Sequence, residues 1–162
     1  MLRKLRIPEA SIPHQIPVYK LNKSSEKLLS WEFVVQRMTQ ARHYWVTTTC
    51  PDGRPHARPL WGLWYENRVY VDGNPAARWH RNLQQNPVIS VHLPEGDKVV
   101  IIEGHIQIIE DDDLSEAEWQ QLDTAYQTKY ATEEGSPYIV VHPDKIMAWD
   151  NAGLDTMTRW VF

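Results

Sequence analysis

The sequence predicts a mainly β protein with helices, of the α+β class, built as a small barrel of roughly six antiparallel strands and about three helices. Short β-branched and aromatic runs recur along the chain, as in Tyr-Trp-Val-Thr-Thr-Thr at 44–49. Turn residues separate these runs, as in Pro-Asp-Gly at 51–53 and Pro-Glu-Gly-Asp at 94–97. Connections this short favour antiparallel neighbours. The chain has 162 residues, enough for one domain with its own core.

The start of the chain differs from the rest. Pro8, Pro13 and Pro17 interrupt any helical pattern. We therefore expect residues 1–23 to form an extended N-terminal arm that lies on its own domain or on a partner subunit. Residues 24–162 are predicted to form a single domain.

Three segments carry apolar residues at helical spacing. The second follows Asn74, a good N-cap, and Pro75, which suits the first helical position. The third begins with Ser115 and Glu118, the spacing of a capping box. The predicted helices cover residues 24–41, 76–85 and 114–130.

The remaining regular segments have strand character, either by alternation or by β-branched and aromatic content. Gly104 falls inside the longest of them and predicts a bend or a bulge. The predicted strand segments cover residues 44–49, 56–65, 69–72, 88–93, 98–109, 138–142, 145–150 and 158–162.

Composition and charge exclude several classes of function. The net charge of −4 gives no support to nucleic-acid binding. Cys50 is the only cysteine and cannot form an internal disulfide. No apolar run approaches the about 20 residues of a membrane span, so we expect a cytoplasmic protein with no membrane partner. The histidines are scattered without a metal-binding pair, and no metal site is predicted.

Two arginines indicate an anion site. Arg58 falls on a predicted strand, and Arg78 falls in the first turn of the second helix. Backbone N–H groups and the helix dipole favour a phosphate at a helix N-terminus, and arginine adds a bidentate contact. We expect the two arginines to converge on one anion. Surface arginines without a ligand are the plainer alternative.

The order of several motifs resembles the pyridoxamine 5′-phosphate oxidase-like family of FMN- or F420-binding split β-barrel proteins, including its general stress protein subgroup. The likeness covers about residues 31–162. The motifs are T-x-x-x-D-G-R-P-H-x-R-P at 48–59, L-W-G-L-W at 60–64, V-Y-V at 69–71, R-x-x-R-N-L-x-x-N-P at 78–87, V-x-I-E-G at 100–104, and a closing Trp149 and Arg159.

This resemblance implies a homodimer with two FMN sites at the subunit interface, with F420 as the alternative cofactor. One wall and the phosphate end of each site would come from one subunit, and the closing tryptophan and arginine would reach the flavin from the other. The cofactor-binding residues implied are Arg58, Pro59, Leu60, Trp61, Val71, Asp72, Ala77, Arg78, Trp149 and Arg159.

The sequence departs from the family pattern at two places. Trp79 stands where the family usually has a lysine after the helix arginine, which removes one cation from the implied phosphate site. Asp155 and Met157 stand where true pyridoxamine-phosphate oxidases have an arginine and a histidine that hold the substrate. We therefore expect a substrate other than pyridoxamine phosphate.

The leading hypothesis is a flavin-dependent oxidoreductase that transfers hydride at the flavin to or from a small-molecule substrate or electron acceptor. No catalytic residue is predicted, because the flavin supplies the chemistry. The alternatives are a flavin-binding stress protein with little or no turnover, an F420-dependent reductase, and a dimeric barrel without a cofactor.

Overall fold

A computed structural model of the protein describes residues 5–13, 27–110, 113–132, 138–150 and 154–162. Most of the predicted arm (residues 1–4 and 14–23) and the first residues of the predicted first helix (24–26) lie outside this set. The elements are α1 (Trp31–Gln40), β1 (Tyr44–Thr49), β2 (Pro55–Leu60), β3 (Gly62–Tyr65), β4 (Arg68–Val71), α2 (Arg78–Gln85), β5 (Val88–His92), β6 (Lys98–Ile108), α3 (Glu116–Tyr130), β7 (Ile139–Asp150) and β8 (Thr158–Val161).

All strand pairs are antiparallel and belong to one curled sheet of order β2-β1-β5-β6-β7-β4-β3, with β8 beside the second half of β7. The two edge strands, β2 and β3, follow each other in the chain and are joined by Trp61 alone. The sheet therefore curls back on itself and leaves a seam between its edges. The predicted α+β split-barrel class is confirmed, with eight strands in the described ranges where the sequence predicts about six.

The core lies on the inner face of the curled sheet. One row of side chains crosses five strands through paired positions, and its members are almost fully buried. Alternation along each strand places the intervening side chains on the outer face. The inner row consists of Val46, Val91, Ile102, Ile146 and Trp160.

A second cluster lies on the other side of β4. Tyr70 and Val140 pack there against Leu122, Tyr126 and Tyr130 of α3. Because β4 is covered on both sides, all four of its residues are buried. The helix α3 thus covers the outside of the sheet next to the seam. None of the helices in the described ranges is long and apolar enough to cross a membrane.

Some element ends match the prediction and others differ. Ser115 and Glu118 form the predicted capping box at the start of α3. The helix α1 begins at Trp31, with Ser30 at its N-cap, so the described residues 27–30 lie outside the helix that was predicted to include them. The predicted strand 56–65 is two strands, since the chain leaves the sheet at Trp61 and re-enters at Gly62.

Gly104 marks the predicted bulge, where the register of β6 against β7 shifts between Glu103 and Gly104. A Cβ at Gly104 would lie 2.1 Å from the His142 carbonyl oxygen, which is backbone and cannot move away alone. We expect Gly104→Ala to lower the free energy of unfolding in urea by about 2 kcal/mol. Gly96→Ala is the control, because a Cβ there meets nothing within 4 Å. Equal stability of the two variants would contradict this role for Gly104.

Candidate functional site

The helix α2 starts two residues later than the sequence predicts. The Asn74 side chain accepts a hydrogen bond from the Ala76 N–H at 2.8 Å, and the Asn74 carbonyl accepts one from the Ala77 N–H at 2.8 Å. These bonds form a separate turn over the Asn-Pro step, so Asn74 caps the turn rather than the helix. The N-cap of α2 is Ala77, and Arg78 is its first residue.

One face of α2 is buried and the other is exposed. Its inner face carries Trp79 and Leu83 into the core. Asn82 anchors the helix to β1, donating from Nδ2 to Thr48 Oγ1 at 3.0 Å and toward Cys50 Sγ at 3.6 Å. The opposite face is exposed and carries Arg78, Arg81 and Gln85, which fall at helical spacing.

Arg78 and Arg81 line a cavity of about 270 Å³ together with Arg54 from the β1–β2 turn. We call this the arginine pocket; its other lining residues are Cys50, Pro51, Asp52, Asn82 and Gln85. Asp52 is its one carboxylate. Its side chain accepts from Arg54 Nε at 2.9 Å, a contact that lowers the pKa of Asp52.

The electrostatics of the arginine pocket favour an anion. Three guanidinium groups face one carboxylate, and that carboxylate is bound to Arg54. Guanidinium groups present planar, paired donors that match phosphate oxygens. Arg54 and Arg81 were missed by the sequence interpretation, although the spacing of Arg78 and Arg81 places them on one helix face.

Arg58 lies on β2 opposite Val46, and this pairing puts it on the inner face of the sheet. It is exposed because β2 is an edge strand. Thr48, which binds Asn82 of α2, lies on the same face two residues along β1. Arg58 therefore extends the inner row on the α2 side of the sheet, but it is not among the residues that line the arginine pocket.

Four other predicted site residues lie near the sheet edges. Pro59 is exposed on the outer face, opposite Trp45, whereas Leu60 is 7% exposed and belongs to the core. The Val71 side chain is fully buried. Asp72 follows it at the end of β4, half-buried, and desolvation raises its pKa.

Trp61, at the seam, is 41% exposed, and its ring stacks on Tyr130 with centroids 4.4 Å apart and planes 6° from parallel. The Tyr130 hydroxyl accepts from the Gly62 N–H at 2.8 Å. Lys129 Nζ donates to the Gly62 carbonyl at 2.8 Å and to the Tyr44 hydroxyl at 3.0 Å. The end of α3 thus fixes the β2–β3 junction through side chains, a role that no sequence motif indicated.

Trp149 and Arg159 lie on the outer face of the sheet. Arg159 pairs with Met147, and Trp149 lies two residues further along β7, which puts all three side chains on one face. The Arg159 Nε also donates to Ser11 Oγ at 3.3 Å, and the two backbones pair through Ser11 N–H and Arg159 N–H bonds of 2.8 Å. A described part of the N-terminal segment therefore braces this arginine.

The outer face continues across the sheet as a row of half-buried side chains. Trp45 and His92 stack within it, with ring planes 6° apart. Within one chain the sheet itself therefore separates Trp149 and Arg159 from the inner-face Arg58. The outer row consists of Trp45, His92, Ile101, Met147 and Arg159.

Trp79, at the position of the usual family lysine, does not line the arginine pocket. Its side chain is 1% exposed and packs on Gly73, where an added Cβ would lie 2.1 Å from the indole Cζ2. The adjacent His80 is also buried, and burial lowers its pKa. The second cation of the helix is Arg81, so the pocket keeps a pair of helix cations despite the tryptophan.

The lining of the arginine pocket forms an anion site and includes no pair of a nucleophile and a histidine base. Within the described ranges, no three His, Cys, Asp or Glu side chains cluster in a way that could hold a metal ion. Cys50 lies beside Asn82 and the arginines, without a histidine in the lining of the pocket. Such a site binds and orients a charged ligand, and the redox chemistry would have to come from that ligand.

In a comparison with protein families, residues 31–151 match the family described as Pyridoxamine 5′-phosphate oxidase. Among proteins with curated functions, none matches the chain.

Solved structures share the fold at low sequence identity. A conserved hypothetical protein from Mycobacterium tuberculosis superposes with a TM-score of 0.65 and 18% identity, over 82% of this chain and 92% of that one. An FAD-binding protein from Mesorhizobium loti superposes with a TM-score of 0.56 and 17% identity, over 83% of this chain and 95% of that one. A pyridoxamine 5′-phosphate oxidase-related, FMN-binding protein from Nostoc punctiforme superposes with a TM-score of 0.53 and 17% identity, over 83% of this chain and 90% of that one. At these identities the likeness shows the fold.

Proposed function

Because this chain belongs to the pyridoxamine 5′-phosphate oxidase family, we propose that it is a homodimeric, FMN-binding oxidoreductase of the cytoplasm. Hydride would pass between the flavin and a small-molecule substrate or electron acceptor. Proteins of this fold that are described as binding FMN and FAD support a flavin as the cofactor class.

The arginine pocket carries the proposal. The phosphate of FMN needs several cationic donors at one place, and Arg54, Arg78 and Arg81 line one cavity at the start of α2. The residues present thus fit the phosphate end. Arg58, on the inner face of the neighbouring sheet edge, would extend the same charged surface toward the flavin.

Residues at the seam fit the flat end of the cofactor. An isoalloxazine needs apolar or aromatic surface and fixed hydrogen-bonding groups. Trp61 offers an exposed ring held in place by Tyr130, and Gly62 is fixed by Tyr130 and Lys129. When bound, the flavin would supply hydride acceptance and donation, while these residues would bind it and hold its orientation.

The outer face supports a second subunit as part of the site. Trp149 and Arg159 are separated from Arg58 by the sheet of their own chain. A half-buried row that contains Trp45, Ile101 and Met147 is the kind of surface that another subunit covers. We infer that Trp149 and Arg159 of one subunit meet Arg58 and the arginine pocket of the other.

Pyridoxamine phosphate is not the proposed substrate. Asp155, which stands where an oxidase of that substrate has an arginine, is an acid in an ion pair with Lys27 at 2.8 Å. A carboxylate at this position repels a phosphate ester. We expect no oxidation of pyridoxamine phosphate by the flavin-loaded protein, and a substrate without a phosphate at this place.

Arg81→Ala should weaken FMN binding about tenfold, the scale of one charged hydrogen bond. The measurement is the dissociation constant from a flavin fluorescence titration. Gln84→Ala is the control, because Gln84 is exposed on the same helix and does not line the arginine pocket. An unchanged constant for Arg81→Ala would place the phosphate elsewhere.

The visible spectrum of the purified protein tests the cofactor class. We expect flavin bands and release of FMN on denaturation, and reduction of the bound flavin by NAD(P)H followed by reoxidation with an acceptor. If the purified protein is colourless and binds added F420 but not FMN, the cofactor is F420 instead of FMN. Failure to bind either one would overturn the proposal, and bound flavin without reduction would indicate a carrier.

A further inference from the structure

A second cavity, of about 740 Å³, runs along α3 and shares no lining residue with the arginine pocket. It lies between α3, the edge strand β3 and the end of α1. Its lining on α3 extends from Ala117 to Lys129, which corresponds to about 18 Å of helix. We call this cavity the α3 groove. Its volume is in the range that holds a small organic molecule.

The walls of the α3 groove are mainly apolar. Leu63, Trp64 and Tyr65 form the β3 side, and the two aromatic rings are half-buried. Ala117 and Ala125 form the α3 side, and their small side chains leave room between helix and strand. Hydroxyl and amide groups of α3 also belong to the lining. A planar or extended apolar body matches such a surface better than a strongly hydrated one.

The groove ends at Lys129, a cation without a carboxylate partner among the described residues. Lys129 Nζ uses two of its N–H groups, toward the Gly62 carbonyl and the Tyr44 hydroxyl. Its partners are neutral, and burial together with the nearby Arg42 lowers the pKa of Lys129 to about 8. Arg42 itself lies over the Tyr130 ring, 5.7 Å from its centroid. In the part of the chain that the structure describes, no carboxylate forms an ion pair with Lys129 or Arg42.

We propose that the α3 groove binds an amphipathic organic acid, with its apolar body along Leu63, Tyr65 and Ala125 and its carboxylate on Lys129. The carboxylate would accept the third ammonium N–H and supply a counter-charge. The last turn of α3 presents the negative end of the helix dipole, which disfavours an anion. Binding of the acid therefore depends on Lys129, and its loss should remove the preference for a carboxylate altogether.

The test compares phenylbutyrate with its neutral amide, phenylbutyramide, by isothermal titration calorimetry on the full chain at pH 7. We expect the acid to bind about tenfold more tightly than the amide, the scale of one charged hydrogen bond. In Lys129→Met the two probes should bind equally. Lys98→Met is the control, because Lys98 is an exposed lysine at the start of β6 that does not line the groove.

Ala125→Trp provides a second variant that leaves Lys129 and its contacts in place. The larger ring would fill the groove, so both probes should lose binding. Circular dichroism of each variant checks that it is folded. The proposal is overturned if neither probe binds the wild-type chain at millimolar concentration. It is also overturned if a folded Ala125→Trp binds both probes as before, or if the preference for the acid survives in Lys129→Met.

Discussion

Replacing Trp79 by lysine, the residue the family usually has there, is expected to destabilise the protein severely and not to strengthen cofactor binding. The Trp79 side chain is 1% exposed, and Gly73 makes room for its indole. Removing a buried tryptophan lowers the free energy of unfolding by about 3–5 kcal/mol, and a lysine would also bury an unpaired charge at the same position. We expect the free energy of unfolding to fall by about 4 kcal/mol or more, or the variant not to fold.

Arg81→Lys is the matched control for this prediction. It places a lysine on the same helix, at an exposed position that lines the arginine pocket. Urea unfolding should show Arg81→Lys close to the wild type, within about 0.5 kcal/mol. A stable Trp79→Lys variant with tighter FMN binding would show that position 79 belongs to the phosphate site and that its burial here is incidental.

Trp79 also shows where sequence patterns stop being informative. The spacing of Arg78 and the following residue matches a family motif, and the motif assigns position 79 to the ligand. Whether a helix residue faces a ligand or the core depends on how the helix is rotated, which is set by its anchor to β1 through Asn82 and Thr48. That anchor joins residues 34 positions apart. No local pattern contains it.

The strands were predicted well for a local reason. Alternation, β-branched residues and turn chemistry act within a few positions. They separated the predicted segments 56–65 and 69–72, between which Glu66 and Asn67 have positive φ, and they indicated an irregularity at Gly104, where the bulge lies. The break at Trp61 was missed because its cause is distant. Gly62 is held by Tyr130, 68 residues away, and the sequence gives no sign of that contact.

Residues of the candidate site were also predicted where the sequence signal is local and missed where it depends on distant contacts. Arg78 was identified from its position at the start of a helix. Arg54 and Arg81 were missed, since their grouping with Arg78 depends on the β1–β2 turn lying against α2. The roles of Trp149 and Arg159 rest on the family resemblance. What the structure adds is their place on the outer face, with Arg159 hydrogen-bonded to Ser11.

The largest functional effect is expected when the two halves of the proposed site are removed separately. Arg78→Ala with Arg81→Ala in one chain removes two charged contacts to the phosphate, and FMN affinity should fall about 100-fold or more. A second double variant, Trp149→Leu with Arg159→Gln, removes the two side chains that are proposed to reach the flavin from the partner subunit. Each double variant, as a homodimer, should be purified with little flavin.

Mixed dimers of these two double variants test the central claim, that each flavin site is shared between subunits. Two different affinity tags isolate the mixed species, and released FMN is counted after denaturation. One of its two sites would carry both defects, and the other would combine intact arginines with an intact Trp149 and Arg159. We expect about one FMN per mixed dimer, following the symmetry of a shared interface. A mixed dimer as empty as both parents would mean that all four residues serve one site within a single chain, and would contradict the proposal.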